Sequence, residues 1–203
     1  MDDQLRIDVV DDAHAGELLT VRRAAFVTEA QLYGDAHIPA LTQTLEELRA
    51  DLQRPDVVTL AGWSGTRMVG SIRVGLEEDR ALLGRLAVVP DLQGRGIGTR
   101  LLMAVLAYLP EGTNEVWVFT GQDSKQNLSL YAKAGYEHQY DQNAGDLTYA
   151  YLRKILGDVE VAEEGDDGDP EADDGDPGPD DGGRESDGDP QSHGRAPGEV
   201  AQG

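Results

Sequence analysis

The sequence predicts one mixed α/β domain over residues 1–156, followed by a disordered acidic tail over 157–203. Three observations carry that reading. Runs of period-two alternation and runs of helical periodicity interleave along the first part of the chain. One stretch, "VVPDLQGRGIGTRLL" at 88–102, sets three glycines at alternate positions between two apolar runs. From residue 157 onward there is no aromatic residue, and the bulk is Asp, Glu, Gly and Pro. Such a segment cannot bury enough apolar surface to offset its ordering entropy.

In chain order, "LRIDVV" alternates and reads as a strand. After Asp11 and Asp12, "AHAGELLTVRRAAFVTEAQLY" places Leu18, Leu19, Arg22, Ala25 and Phe26 at helical spacing. A second helix is signed by Thr44 with Glu47 as a capping box and by Leu41, Leu45, Leu48 and Leu52 on one stripe. "VVTLAGW" and "RMVGSIRVG" form a hairpin around Ser64 and Gly65, "LEEDR" turns, and "ALLGRLAVV" is a fourth strand. A helix is expected from about Gly98 to Leu109, and then a strand at 115–121 apolar enough to be buried on both faces. A short helix near 127–134 and strands near 136–139 and 147–155 complete the order β-α-α-β-β-β-α-β-α-β-β.

The net charge is −22, yet 17 acids and only two bases fall in 157–203, leaving −7 on residues 1–156. The tail is thus read as a solvated polyanion that favours solubility. With no cysteine, the chain offers no disulfide, no thiolate metal site and no acyl-cysteine intermediate. The four histidines have no ligand spacing, so no metal is expected. "MDDQLRIDVVDD" has neither a basic leader nor an apolar core segment, and no window resembles a membrane span. A cytoplasmic protein without a membrane partner is the expectation. Nucleic acid is not an expected partner either, because the folded part is acidic and lacks a basic stripe.

A glycine loop between a strand and a helix exposes free N–H groups at the positive end of a helix dipole, where a phosphate can approach. A P-loop would need Gly-Lys followed by Ser or Thr, but the three lysines stand at 125, 133 and 154. The dinucleotide fingerprint fails because Thr99 stands where its third glycine belongs. What remains is Q-x-x-G-x-G, Gln93 to Gly98.

With "RLAVVPDLQGRGIGTRLL" and the later "NLSLYAKAGY", the sequence resembles the GCN5-related N-acetyltransferase (GNAT) superfamily over nearly all of residues 5–155. The resemblance implies that family's mixed central sheet and acetyl-CoA as co-substrate. It implies that the pyrophosphate rests on the backbone of Gln93, Gly94, Arg95, Gly96, Ile97, Gly98 and Thr99, with Arg95 also a candidate for added charge. The pantetheine arm would pair like an extra strand along Leu86, Ala87 and Val88, where a backbone N–H serves the acyl oxyanion. Tyr131 stands where relatives place the tyrosine that protonates the departing thiolate. Many relatives carry Asn seven positions before that tyrosine. Here the position is Ser124, while Asn127 falls four before, so either can contact the cofactor, and Asn127 can instead cap its helix.

"ALLGRLAVV" holds no acid and offers Arg85 where relatives often carry a glutamate base. Glu29, Glu77, Glu78 and His37 border a possible acceptor site but are read as surface residues, and a water chain as the route for the amine proton. Tyr33, Asp35 and His37 form a candidate rim for a cationic acceptor, with a plain loop the competing reading. The implied activity is acetyl transfer to a primary amine, of a small molecule or a protein, by direct attack in a ternary complex. A non-catalytic coenzyme A-binding module and a nucleotide-binding protein remain as alternatives. A homodimer is compatible with the resemblance, and no sequence feature selects its interface.

Overall fold

The computed structural model describes residues 5–145 and 147–157, so the expectation of a disordered tail lies outside the described residues. Strand β1 (Arg6–Val9) is followed by a short 3-10 turn capped by Asp11, whose carboxylate accepts the His14 N–H at 3.3 Å. Helix α1 (Ala15–Tyr33) ends on Gly34 at φ +65°, the left-handed conformation that glycine adopts without a Cβ penalty. The Thr44–Glu47 capping box forms as expected and starts α3 (Leu45–Leu52). Leu41, however, belongs to a separate four-residue helix, α2 (Pro39–Thr42), because Gln43 is extended and breaks the stripe.

The hairpin of β2 (Val57–Ser64) and β3 (Arg67–Leu76) matches the expectation, as does β4 (Arg80–Val88). Helix α4 (Ile97–Ala104) is shorter than its apolar pattern suggested. A 3-10 turn over Val105–Tyr108 replaces its last turns, and Leu109 is extended before Pro110, as the residue before a proline prefers. Then come β5 (Glu115–Gly121), α5 (Lys125–Lys133), β6 (Glu137–Ala144) and β7 (Leu147–Ile155). Burial along β5 alternates rather than covering both faces: Val116, Val118 and Thr120 are buried while Trp117 and Phe119 are half-exposed.

Among the described residues, seven strands form one sheet in the order β1-β2-β3-β4-β5-β7-β6. All neighbours run antiparallel except β4 and β5, which pair in parallel only from Arg80–Glu115 to Leu83–Val118. Both strands continue beyond that last pair, so they part and leave a wedge in the middle of the sheet. A bulge starts the parting. Ser71 faces Ala87 and Arg73 faces Gly84, so β4 carries one extra residue, and Arg85 there has φ +53°.

Helices cover both faces. On one, Arg73 of β3 reaches Asp51 of α3; on the other, Gly70 of β3 lies under Ile97 and Leu101 of α4. The core runs through Leu18, Leu48, Leu60, Ile72, Leu83, Leu101 and Val105, each at most 1% exposed. Among the described residues, no helix is long and apolar enough to cross a membrane.

Candidate active site

The wedge opens beside the glycine loop. Beyond the bulge, Ala87 and Val88 pair with β3 on one side, while among the described residues no strand pairs with 86–88 on the side of β5. That leaves a strand edge in the interior of a sheet, with backbone donors and acceptors available to an extended ligand. Leu86 and Val88 turn their side chains toward α4: a Cβ on Gly98 would lie 3.8 Å from Val88 Cγ2 and 4.0 Å from Leu86 Cδ2.

In the loop itself, Gly94 and Gly96 hold φ +75° and +77° with open space where a Cβ would stand. Gly98 is helical, so its smallness serves packing instead: Leu130 of α5 lies 3.7 Å from its would-be Cβ. The Gln93 amide donates to the Val88 carbonyl at 3.1 Å and ties the loop to the end of β4. The first bond of α4 runs from the Arg100 N–H to the Gly96 carbonyl at 3.0 Å. The N–H groups of Ile97, Gly98 and Thr99 therefore have no partner within the helix. The exposed Arg95 and Thr99 flank them. Free amides, two left-handed glycines and uncrowded space fit a pyrophosphate.

Helix α5 crosses near the other side of the wedge. Ser124 takes its N-cap position without a side-chain cap. Asn127 does not cap the helix: it stands inside the first turn and donates to Thr120 Oγ1 of β5 at 3.3 Å. Tyr131 is 5% exposed, its ring edge-on to Tyr136 at 6.0 Å. Burial holds its phenol well above the usual range, and the nearby Glu29 and Tyr136 push the same way.

Helix α1 places residues that the sequence left as surface or plain helix positions. Glu29 is half-buried rather than on the surface, and burial raises its carboxyl. Its charge also acts on Tyr131, Tyr33 and Tyr149. Glu77, Glu78 and His37 are exposed. The Tyr33 ring lies so close over Gly121 that a Cβ there would meet the hydroxyl at 1.8 Å. Asp35 and His37 stay together in the loop, the His37 N–H donating to Asp35 Oδ1 at 2.7 Å. Arg22, read from sequence only as a helix position, is 1% exposed. Its signal was available: Arg22 and Glu29 fall on the same stripe as Leu18 and Phe26, where a helix over a sheet is otherwise apolar.

Comparison with known proteins agrees with this geometry. The model of the acetyltransferase (GNAT) family matches residues 26–136, more than half of the chain. A curated relative, the UPF0157 protein YqkA of Bacillus subtilis (strain 168), is 29% identical over 124 residues, which is 61% of this chain. The match spans only about a third, 34%, of that relative's length. Among solved structures, the PaiA N-acetyltransferase of Thermoplasma acidophilum in complex with coenzyme A superposes with a TM-score of 0.67 at 20% identity, over 75% of this chain and 99% of that one. The ribosomal-protein-S18-alanine N-acetyltransferase of Escherichia coli gives 0.63 at 15% identity, over 77% and 98%. These likenesses show the fold, and with the family match they identify the chain as a member of the acetyltransferase (GNAT) family.

Proposed function

We propose that this protein transfers an acetyl group from acetyl-CoA to a primary amine by direct attack in a ternary complex. The observation that carries the proposal is the wedge: an unpaired strand edge at 86–88 that runs into a loop of free amides at 93–98. The coenzyme A bound to the PaiA relative supports the same reading. Gly94 and Gly96 give the loop its shape, the amides of 93–99 take the pyrophosphate, Arg95 adds charge, and Leu86, Ala87 and Val88 pair with the pantetheine arm. Ser124 and Asn127 stand at the start of α5 to steady that arm, Asn127 held by Thr120. When bound, acetyl-CoA supplies an activated acyl group with a thiolate leaving group.

The chain's own task is to shed the ammonium proton to solvent before attack and then to move a second proton from the amine nitrogen to the departing sulfur. A neutral amine is needed for attack, although a free one has a pKa near ~10. Glu29, half-buried and shifted toward neutrality by that burial, takes this proton directly or through water. The Tyr131 phenol, held protonated by its burial, donates a hydrogen bond to the sulfur as charge develops there. Full deprotonation of so weak an acid is unfavourable, so Tyr131 acts as a neutral donor while the proton arrives from the amine side.

Thiol release from acetyl-CoA with a panel of amines tests the proposal on the full-length chain. Release that depends on an amine is expected; protection by ATP or NAD but not by coenzyme A in a thermal-shift assay would contradict it.

A further inference from the structure

One face of the wedge carries a positive charge for which the described residues supply no hydrogen-bond partner. Among the described residues, none of the Arg22 nitrogens, Nε, Nη1 or Nη2, has a hydrogen-bond partner, although the side chain is fully buried. A buried guanidinium with five unused donors is among the costliest arrangements in a fold. Burial pulls Arg22 down to about 9, with Arg85 adding to the effect and Asp51 opposing it, so it stays charged at neutral pH. Asp51 is already engaged: its two oxygens accept from Arg73 Nε and Nη2 at 2.7 and 2.8 Å. Arg85, on the strained bulge at φ +53°, has no ion pair among the described residues.

Two hydroxyls share this environment. Among the described residues, Ser71 Oγ and Thr59 Oγ1 are buried without partners. Ser71 precedes Arg73 by two positions on β3, and Thr59 lies opposite Arg73 across the β2–β3 pair, so all three side chains share one face of the sheet. That face is opposite to the one under α4, so the phosphates of a coenzyme held by the glycine loop do not account for the charge.

We propose that Arg22 and Arg85 form a subsite for a carboxylate carried by the acceptor, which makes the preferred acceptors amino-acid-like amines rather than plain amines. The inference rests on the acetyl-transfer reading above. A planar guanidinium fork matches a carboxylate in bidentate fashion. The half-exposed Arg85 meets the incoming group and Arg22 forms the dry floor, with the Ser71 and Thr59 hydroxyls as further donors. Arg22, Phe26, Glu29 and Tyr33 follow one another at helical spacing on α1, so the carboxylate end and the proton acceptor Glu29 share one helix face.

The test uses the full chain, isotope-labelled at arginine, followed through the Nε–H resonances of Arg22 and Arg85 without acetyl-CoA. β-Alanine and L-phenylalanine are titrated beside ethylamine and phenethylamine, their counterparts lacking the carboxylate, with sodium chloride as the inorganic control. Saturable movement of both resonances is expected with the two carboxylates only. Arg85→Gln should weaken that response by about tenfold or more, and Arg22→Lys, which keeps the charge without the fork, should weaken it less. No movement with either carboxylate, an equal response to the plain amines, or an equal response to chloride, meaning an adventitious ion only, would overturn the proposal. The amides of residues 93–98 titrated with coenzyme A give a separate readout. If they stay still while the arginines respond, the acetyl-transfer reading fails alone; if they move while the arginines do not, the carboxylate subsite fails alone.

Discussion

Burial keeps the Tyr131 phenol protonated near neutral pH, and in the proposed mechanism its part is to remain a donor. Replacing it with Phe keeps the ring that packs on Tyr136 and removes only the hydroxyl. The expected result is a fall in kcat of about a hundredfold with little change in the dissociation constant of acetyl-CoA. Unchanged turnover would remove Tyr131 from the mechanism. Glu29 makes a different prediction, because its carboxyl is raised by burial above its value in the unfolded chain, near ~4.3. The folded state therefore holds this proton to higher pH, and as pH climbs through that window ionisation costs the folded state more than the unfolded one. Glu29→Gln should match the parent's melting temperature at acid pH and exceed it at neutral pH. Melts in a pH series would show it, and parallel pH slopes would contradict it. Tyr131 was legible because it sits in a recognisable string, "NLSLYAKAGY". Arg22 and Glu29 were not, because charged residues on a helix are read by default as its solvated face, and only the tertiary contact with β3 and β4 turns that face inward.

Individual elements depend on where a side chain is missing. At Gly70 an added Cβ would stand 2.7 Å from the Ala87 carbonyl and 3.0 Å from Leu101 Cδ1. Gly70→Ala should therefore push β3, β4 and α4 apart and cost about 1–3 kcal/mol in urea unfolding; a neutral result would mean that α4 is loosely seated. Gly96→Ala meets no atoms but must keep φ +77°, at a cost of roughly 1–2 kcal/mol. Its larger expected effect is weaker coenzyme A binding, measured by calorimetry, because the amides then converge less well. Most elements could be read from periodicity, since α3 has its capping box and β2 and β3 their hairpin. Strand β6 was cut short because "EHQYDQNA" is polar and mostly exposed at the sheet's edge, where strand propensity is weak and pairing with β7 decides. No local pattern signalled the bulge at Arg85, because a register shift is a relation between two strands.

Across the whole molecule, the sheet closes a core on both faces and splits between β4 and β5, where the proposed site lies. The motifs "RLAVVPDLQGRGIGTRLL" and "NLSLYAKAGY" carried the family resemblance, but the wedge itself became visible only from the pairing of β4 with β5. Sequence could not reveal it, since strands paired in parallel over four residues and then parted look like any other strands. The last described backbone bond of the domain, from the Leu156 N–H to the Asn114 carbonyl at 2.9 Å, closes the sheet before the acidic segment begins. We therefore expect a chain ending at residue 156 to keep the melting temperature and the thiol-release rate of the full-length protein. A drop in either would give the acidic segment a role in folding or catalysis. The most direct test of the central claim is a titration of the full-length protein with coenzyme A, followed at the backbone amides of residues 93–98. Saturable shifts centred on Gly94, Gly96 and Gly98 are predicted; amides that stay unmoved at saturating coenzyme A would contradict the account.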